Sequence, residues 1–144
     1  MLIDFPILSL IVLLPTAGAI LTYLLGTSDR AARAIAMAFS LATLALGTIL
    51  LLGFLWPQLF ELQPTVIGAP PREQTYFAFE SSGWVPSLNV RYILGVDELS
   101  VVLVFLNTLL TPLALAIGWD EHHRVPEFFA LFLLMETTVN GVFL

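Results

Sequence analysis

Four long apolar runs leave this chain few folds to choose from. They cover about Phe5 to Leu25, Ala31 to Trp56, Leu99 to Trp119 and Pro126 to Leu144. Each approaches or exceeds the roughly 20 residues a helix needs to cross a bilayer core. In lipid only helices and closed barrels satisfy every backbone N–H and C=O. The runs are continuous rather than alternating, so they predict helices. Composition agrees: 58% of the residues are hydrophobic and 11% charged, against about 25% charged in a soluble domain. The mean hydropathy is +0.95, so lipid is the expected solvent. The expected fold is a single all-α integral membrane domain over residues 1–144, with four transmembrane helices.

Charge narrows the partners. Eleven acidic residues face five basic ones, for a net charge of −6, and every basic residue is an arginine. No basic patch exists for nucleic acid, and no polybasic segment for anionic lipid. Without cysteine the chain has no disulfide, thiolate metal site or iron–sulfur ligand. The N-terminus lacks the positive region of a signal peptide, since its early charge is Asp4, and its apolar stretch is too long. A retained anchor is expected. Arg30 and Arg33 lie in the first short turn and Arg124 in the third. The positive-inside rule puts both turns in the cytoplasm and the N-terminus outside.

Residues 57–98 then form an outer loop too long to stay structureless. Thr75–Phe79 and Leu88–Leu94 look extended, and ESSGWVPS between them is rich in turn formers. This predicts a small β-hairpin with Trp84 near its tip. Upstream, QPTVIGAPPRE reads as a proline-rich connector without clear structure. Within the spans, Pro15 and Pro112 free the carbonyls of Ile11 and Thr108. Thr16, Asn107, Thr108 and Thr111 stand nearby as donors. Ala34, Ala38 and Ala42 recur every four residues, a small-residue stripe suited to close helix contact.

The candidate chemistry is sparse. Glu136 lies about 15 Å along a helix starting at Pro126, near the middle of a core about 30 Å thick. A carboxylate there costs about 2.5–3.5 kcal/mol on the lenient insertion scale. It shares a helix face with Asn140, four residues on, and Thr137 lies beside them. It reads either as a protonatable group beside a proton path or as a glutamic acid making one interhelical hydrogen bond. Asp97–Glu98 reads as a water-side proton exchanger, a docking point, or a helix start with Ser100 at its third position. The turn WDEHHRVPE holds Asp120, Glu121, His122, His123 and Arg124. Glu121 can accept protons from water; adjacent histidines on an exposed turn are more often solvated than metal ligands. No phosphate loop, nucleophile–base set or dinucleotide fingerprint is visible, so no catalytic, metal or cofactor-binding residue is assigned.

Two stretches, WVPSLNVRYILGVDELSVVLVFLNTLLTPLALAIGW and FFALFLLMETTVNGVFL, resemble the M-type antiporter-like subunit of complex I, the proton-pumping NADH–quinone oxidoreductase. Its mitochondrial counterpart is subunit 4. Trp84, Pro86, Asp97, Ser100, Trp119, Glu136, Gly141, Val142 and Phe143 carry the resemblance. Two departures stand out. Glu98 replaces the family's glycine after the aspartate. The family's essential glutamate on the fifth span, and its lysines further on, have no counterpart here. The resemblance is therefore to the N-terminal part of such a subunit.

It implies a membrane-arm subunit, or a portion of one, in a proton-translocating NADH–quinone oxidoreductase. Glu136, Glu121, Asp97 and Asn140 would then be the proton-transfer candidates, with no cofactor in this chain. NADH, FMN, iron–sulfur clusters and quinone would sit in partner subunits, and the other membrane-arm subunits and the lipid bilayer would be its partners. The implied location is an energy-transducing membrane, a bacterial plasma membrane or its equivalent. The alternatives are a related cation/proton antiporter, a membrane-bound hydrogenase complex, or a non-catalytic structural or assembly subunit.

Overall fold

The computed structural model describes residues 7–26, 28–56, 65–67, 74–76, 78–85 and 90–144. Four helices run up and down: α1 (Ile7–Leu25), α2 (Asp29–Leu55), α3 (Glu98–Ile117) and α4 (Val125–Phe143). All four are long and apolar enough to cross a membrane. The chain is an integral membrane protein. α1 packs on α2 and α4, α3 packs on the same two, and α2 also touches α4. α1 and α3 thus occupy opposite corners. One end of the bundle carries the arginines of the short turns; the other carries the strands.

Helix ends follow local chemistry. Ser28 caps α2 by accepting from the backbone N–H of Ala31 at 3.3 Å. Asp97 caps α3, accepting from Ser100 N–H at 2.7 Å; that satisfies one of the donors a helix start leaves open. Pro126 lies in the first turn of α4 with Glu127 behind it. Arg124, just before α4, takes a left-handed conformation with φ 52°, uncommon for a residue with a Cβ.

Two antiparallel strand pairs lie between α2 and α3: β1 (Thr65–Ile67) with β2 (Gln74–Tyr76), and β3 (Ala78–Val85) with β4 (Val90–Val96). Two sequence expectations change here. The connector read as structureless contains β1. Residues 80–85, read as turn, continue β3 as far as Val85, with a register shift between Gly83 and Val85. Backbone pairing along a partner strand overrode the local turn preference of Ser-Ser-Gly. Asp4, most of the connector and the segment 86–89 lie outside the described residues.

Two apolar clusters fill the bundle. At the strand end, Leu8, Ile11, Leu50, Val101 and Val104 pack with Leu94 and Val96 of β4. The Gly95 N–H also donates to the Leu144 carbonyl at 2.9 Å, fastening β4 to the end of α4. At the arginine end, Ala19, Ala32, Ala36, Leu115, Phe129 and Leu133 pack together, and Trp119 sets its ring edge-on to Phe129. The small residues that α2 buries are Ala32, Ala36, Ser40, Thr43, Gly47 and Gly53. Ala34, Ala38 and Ala42 are exposed, so the expected contact stripe is displaced by two residues. Two interleaved small-residue rows run along α2. The row that packs is the one continuing into Gly47 and Leu50. A side chain at Gly47 would meet Thr108 on α3, and one at Gly18 would put a Cβ 2.6 Å from Phe39.

Candidate functional site

A polar layer separates the two apolar clusters. It is built on α1, α3 and α4, about halfway along each, and Glu136 lies within it. Eleven residues past Val125, Glu136 is about 16 Å into α4. Its side chain is 1% exposed, and among the described residues neither carboxyl oxygen has a hydrogen-bond partner. Burying a polar group without such a partner costs roughly 2–7 kcal/mol, depending on the reference state.

The asparagines of this layer are held by hydrogen bonds. Asn107, midway along α3, uses its amide N–H groups twice. It donates to the Glu136 backbone carbonyl at 3.2 Å and to Asn140 Oδ1 at 2.9 Å. Asn140 in turn donates to the Ile11 carbonyl, at a long 3.5 Å. That carbonyl is the one Pro15 deprives of its normal helical partner. A kink-capable position on α1 is thus closed by a side chain from α4, which a side chain from α3 holds in place. One turn toward the arginine end, the Thr16 and Thr137 hydroxyls lie 3.0 Å apart, joining α1 to α4. Thr43, Thr108 and Thr111 are buried and return their hydroxyl protons to backbone carbonyls of their own helices.

The four sequence candidates do not form one site. Glu136 and Asn140 share the inner face of α4. Asp97 and Glu121 lie beyond opposite ends of α3, whose length alone is about 30 Å. Asp97 is the α3 cap, and the Ser100 N–H it accepts is the main cause holding its carboxyl below the usual range. Glu121 is exposed. Its carboxylate accepts from His123 N–H at 2.9 Å and His122 N–H at 3.0 Å, and these bonds, His123 first, hold it below the usual range. Its backbone carbonyl accepts from Arg33 at 2.7 Å, clamping the third turn to α2. Among the described residues no three His, Asp or Glu side chains come together as a metal site.

Sequence reasoning singled out Asn107 as a donor for freed carbonyls but not as the partner of Asn140. The signal was present: they are the asparagines of α3 and α4, Asn107 at mid-span and Asn140 one turn from the end of α4. Their pairing depends on helix rotation, which spacing along one helix does not give.

No family model matches the chain. It is similar to curated proteins over nearly its whole length. One is the F(420)H(2) dehydrogenase subunit M of Methanosarcina mazei, 32% identical over 139 residues, covering 96% of this chain and 25% of that protein. Another is the NADH-quinone oxidoreductase subunit M of Rhodobacter capsulatus, 30% identical over 142 residues, covering 95% and 24%. A third is an NAD(P)H-quinone oxidoreductase chain 4 of a Synechococcus species, 36% identical over 142 residues, covering 99% and 24%. The chain spans about a quarter of the length of these relatives.

Proposed function

We propose, from the similarity of this chain to F(420)H(2) dehydrogenase subunit M, NADH-quinone oxidoreductase subunit M and NAD(P)H-quinone oxidoreductase chain 4, that it serves in the membrane arm of a proton-translocating NADH–quinone oxidoreductase. What carries the reading is similarity at 30–36% identity over at least 95% of the chain to three such proteins. In this reading electrons pass through partner subunits holding FMN, iron–sulfur clusters and quinone. The chain supplies a packed four-helix unit with Glu136 as its internal titratable group. Among the described residues no side chain engages the Glu136 carboxyl, while Asn107 and Asn140 bond to each other. A change in the carboxyl's protonation therefore breaks no bond that holds the bundle together. Intramembrane carboxylates are function-biased by default. Asn140 and Asn107 act as positioning residues. Asp97 and Glu121 serve as cap and turn clamp. Arg30, Arg33 and Arg124 orient the bundle with both short turns in the cytoplasm and the strand pairs outside.

One observation favours a second reading of the electron donor alone. The M. mazei relative is named as part of an F(420)H(2) dehydrogenase, so F(420)H(2) can stand where NADH stands in the first reading. Affinity purification of the chain from native membranes separates the two. Co-purification with an NADH-oxidising flavin and iron–sulfur module supports the first, and an F420H2-oxidising module the second. A nickel–iron subunit, or no redox subunit at all, would remove both.

A further inference from the structure

A groove of about 420 Å³ runs between α1 and α4 near the arginine end, apart from the polar layer. Small side chains make its floor: Ala19 on α1 and Ala130 on α4 face each other across the contact, 2% and 6% exposed. Leu131 and Leu134 make its outer wall and are well exposed. Arg124 and Glu127 stand at its mouth, joined by a 2.8 Å ion pair, and Tyr23 flanks them. From Arg124 to Leu134 the groove follows α4 for about 15 Å, the depth of one bilayer leaflet.

Shape and charge together define an occupant. The long slot is apolar below and polar at one end, as a lipid is. The mouth carries one positive and one negative side chain, so its net charge is zero. The mouth therefore offers no net charge to reward a net-anionic headgroup. The pair is not saturated. Arg124 gives Glu127 two of its five donors, through Nε–H and one terminal nitrogen, and the carboxylate keeps free lone pairs. A phosphate fits the remaining guanidinium donors. A primary ammonium fits the remaining carboxylate lone pairs, whereas a trimethylated ammonium has no N–H to offer. We propose that this groove seats one acyl chain of a zwitterionic phospholipid with a primary-ammonium headgroup, its phosphate on Arg124 and its ammonium on Glu127. The assignment requires the bundle to sit in a bilayer and is independent of the electron-transfer reading.

The test uses the full-length protein in its native complex, with a photocrosslinking amino acid in place of Leu131. The complex is delipidated and returned to nanodiscs of phosphatidylethanolamine, phosphatidylcholine and phosphatidylglycerol in equal amounts, with identical acyl chains. Mass spectrometry of the crosslinked product should show phosphatidylethanolamine in about fivefold excess over each of the others, the upper range for one exposed charge pair. Glu127→Gln, a change at a part-exposed position, should bring phosphatidylethanolamine and phosphatidylcholine to parity. Arg124→Gln should lower the yield of all lipid adducts. Equal yields of the three lipids, an ethanolamine excess that survives Glu127→Gln, or a crosslink to protein instead of lipid would each overturn the proposal.

Discussion

Asn140 binds two neighbouring helices with one side chain. Its Oδ1 accepts from α3 and its Nδ2 donates to the carbonyl that Pro15 opens on α1. Asn140→Ala removes both bonds and leaves a buried carbonyl and a buried amide N–H short of partners. The expected loss is about 1–3 kcal/mol, read as a lower unfolding temperature in detergent. Thr137→Val removes a single interhelical bond and should cost only about 0.6 kcal/mol. Asp97 makes a smaller, pH-dependent contribution. Its carboxyl is held down by the Ser100 N–H, so the folded state binds its proton less readily than the unfolded state. The stabilisation is fully present above the ordinary carboxylate pKa of about 4. It is lost as pH falls through the lower folded value. Asp97→Ala should therefore cost about 0.5–2 kcal/mol at neutral pH, and the gap to the unsubstituted chain should narrow in acid. A gap that did not change with pH would show that the carboxylate is not what caps α3.

Helix α2 shows which information a helix carries in sequence and which it does not. Its length and its passage through lipid are legible from hydropathy; its start at Asp29, two residues ahead of the expected Ala31, is set by the Ser28 cap. Its rotation is not legible. Ala34–Ala38–Ala42 and Ala32–Ala36–Ser40 are equally plausible small-residue rows in an all-apolar span, because lipid and protein interior are alike in polarity. Thr108 on α3 and Phe39 beside Gly18 decide between them, since they demand backbone approach at Gly47 and Gly18. The paired substitutions Ala36→Leu and Ala38→Leu test this. Ala36 is fully buried, so Ala36→Leu overpacks the α1–α2–α4 contact and should cost about 1–3 kcal/mol. Ala38→Leu points outward and should leave the unfolding temperature nearly unchanged. The opposite ranking would mean that the rows are interchanged. The strands were the least legible element. β3 runs through Ser81-Ser82-Gly83, whose turn chemistry is real but yields to the ladder with β4.

Across the whole molecule, packing and polarity divide the bundle into three layers: an apolar cluster under the strands, a polar layer, and an apolar cluster near the arginines. The number of spans and the depth of Glu136 could be read from the sequence, since both follow from counting residues at a fixed helical rise. The cap role of Asp97, with Ser100 at the third position, is one of the readings its place allows; the roles of Glu121 and Glu136 could not be read. Asp97 and Glu121 serve backbone N–H groups near the ends of α3, and only the three-dimensional arrangement shows that, among the described residues, the buried Glu136 carboxyl has no partner. That carboxyl is the centre of the functional account, and its test is the proton-to-electron ratio of the assembled complex in sealed vesicles. Glu136→Gln keeps the side chain's size and removes its proton chemistry. A lower ratio is expected, with the complex still assembled and still oxidising its electron donor; an unchanged ratio would leave Glu136 as a packing residue.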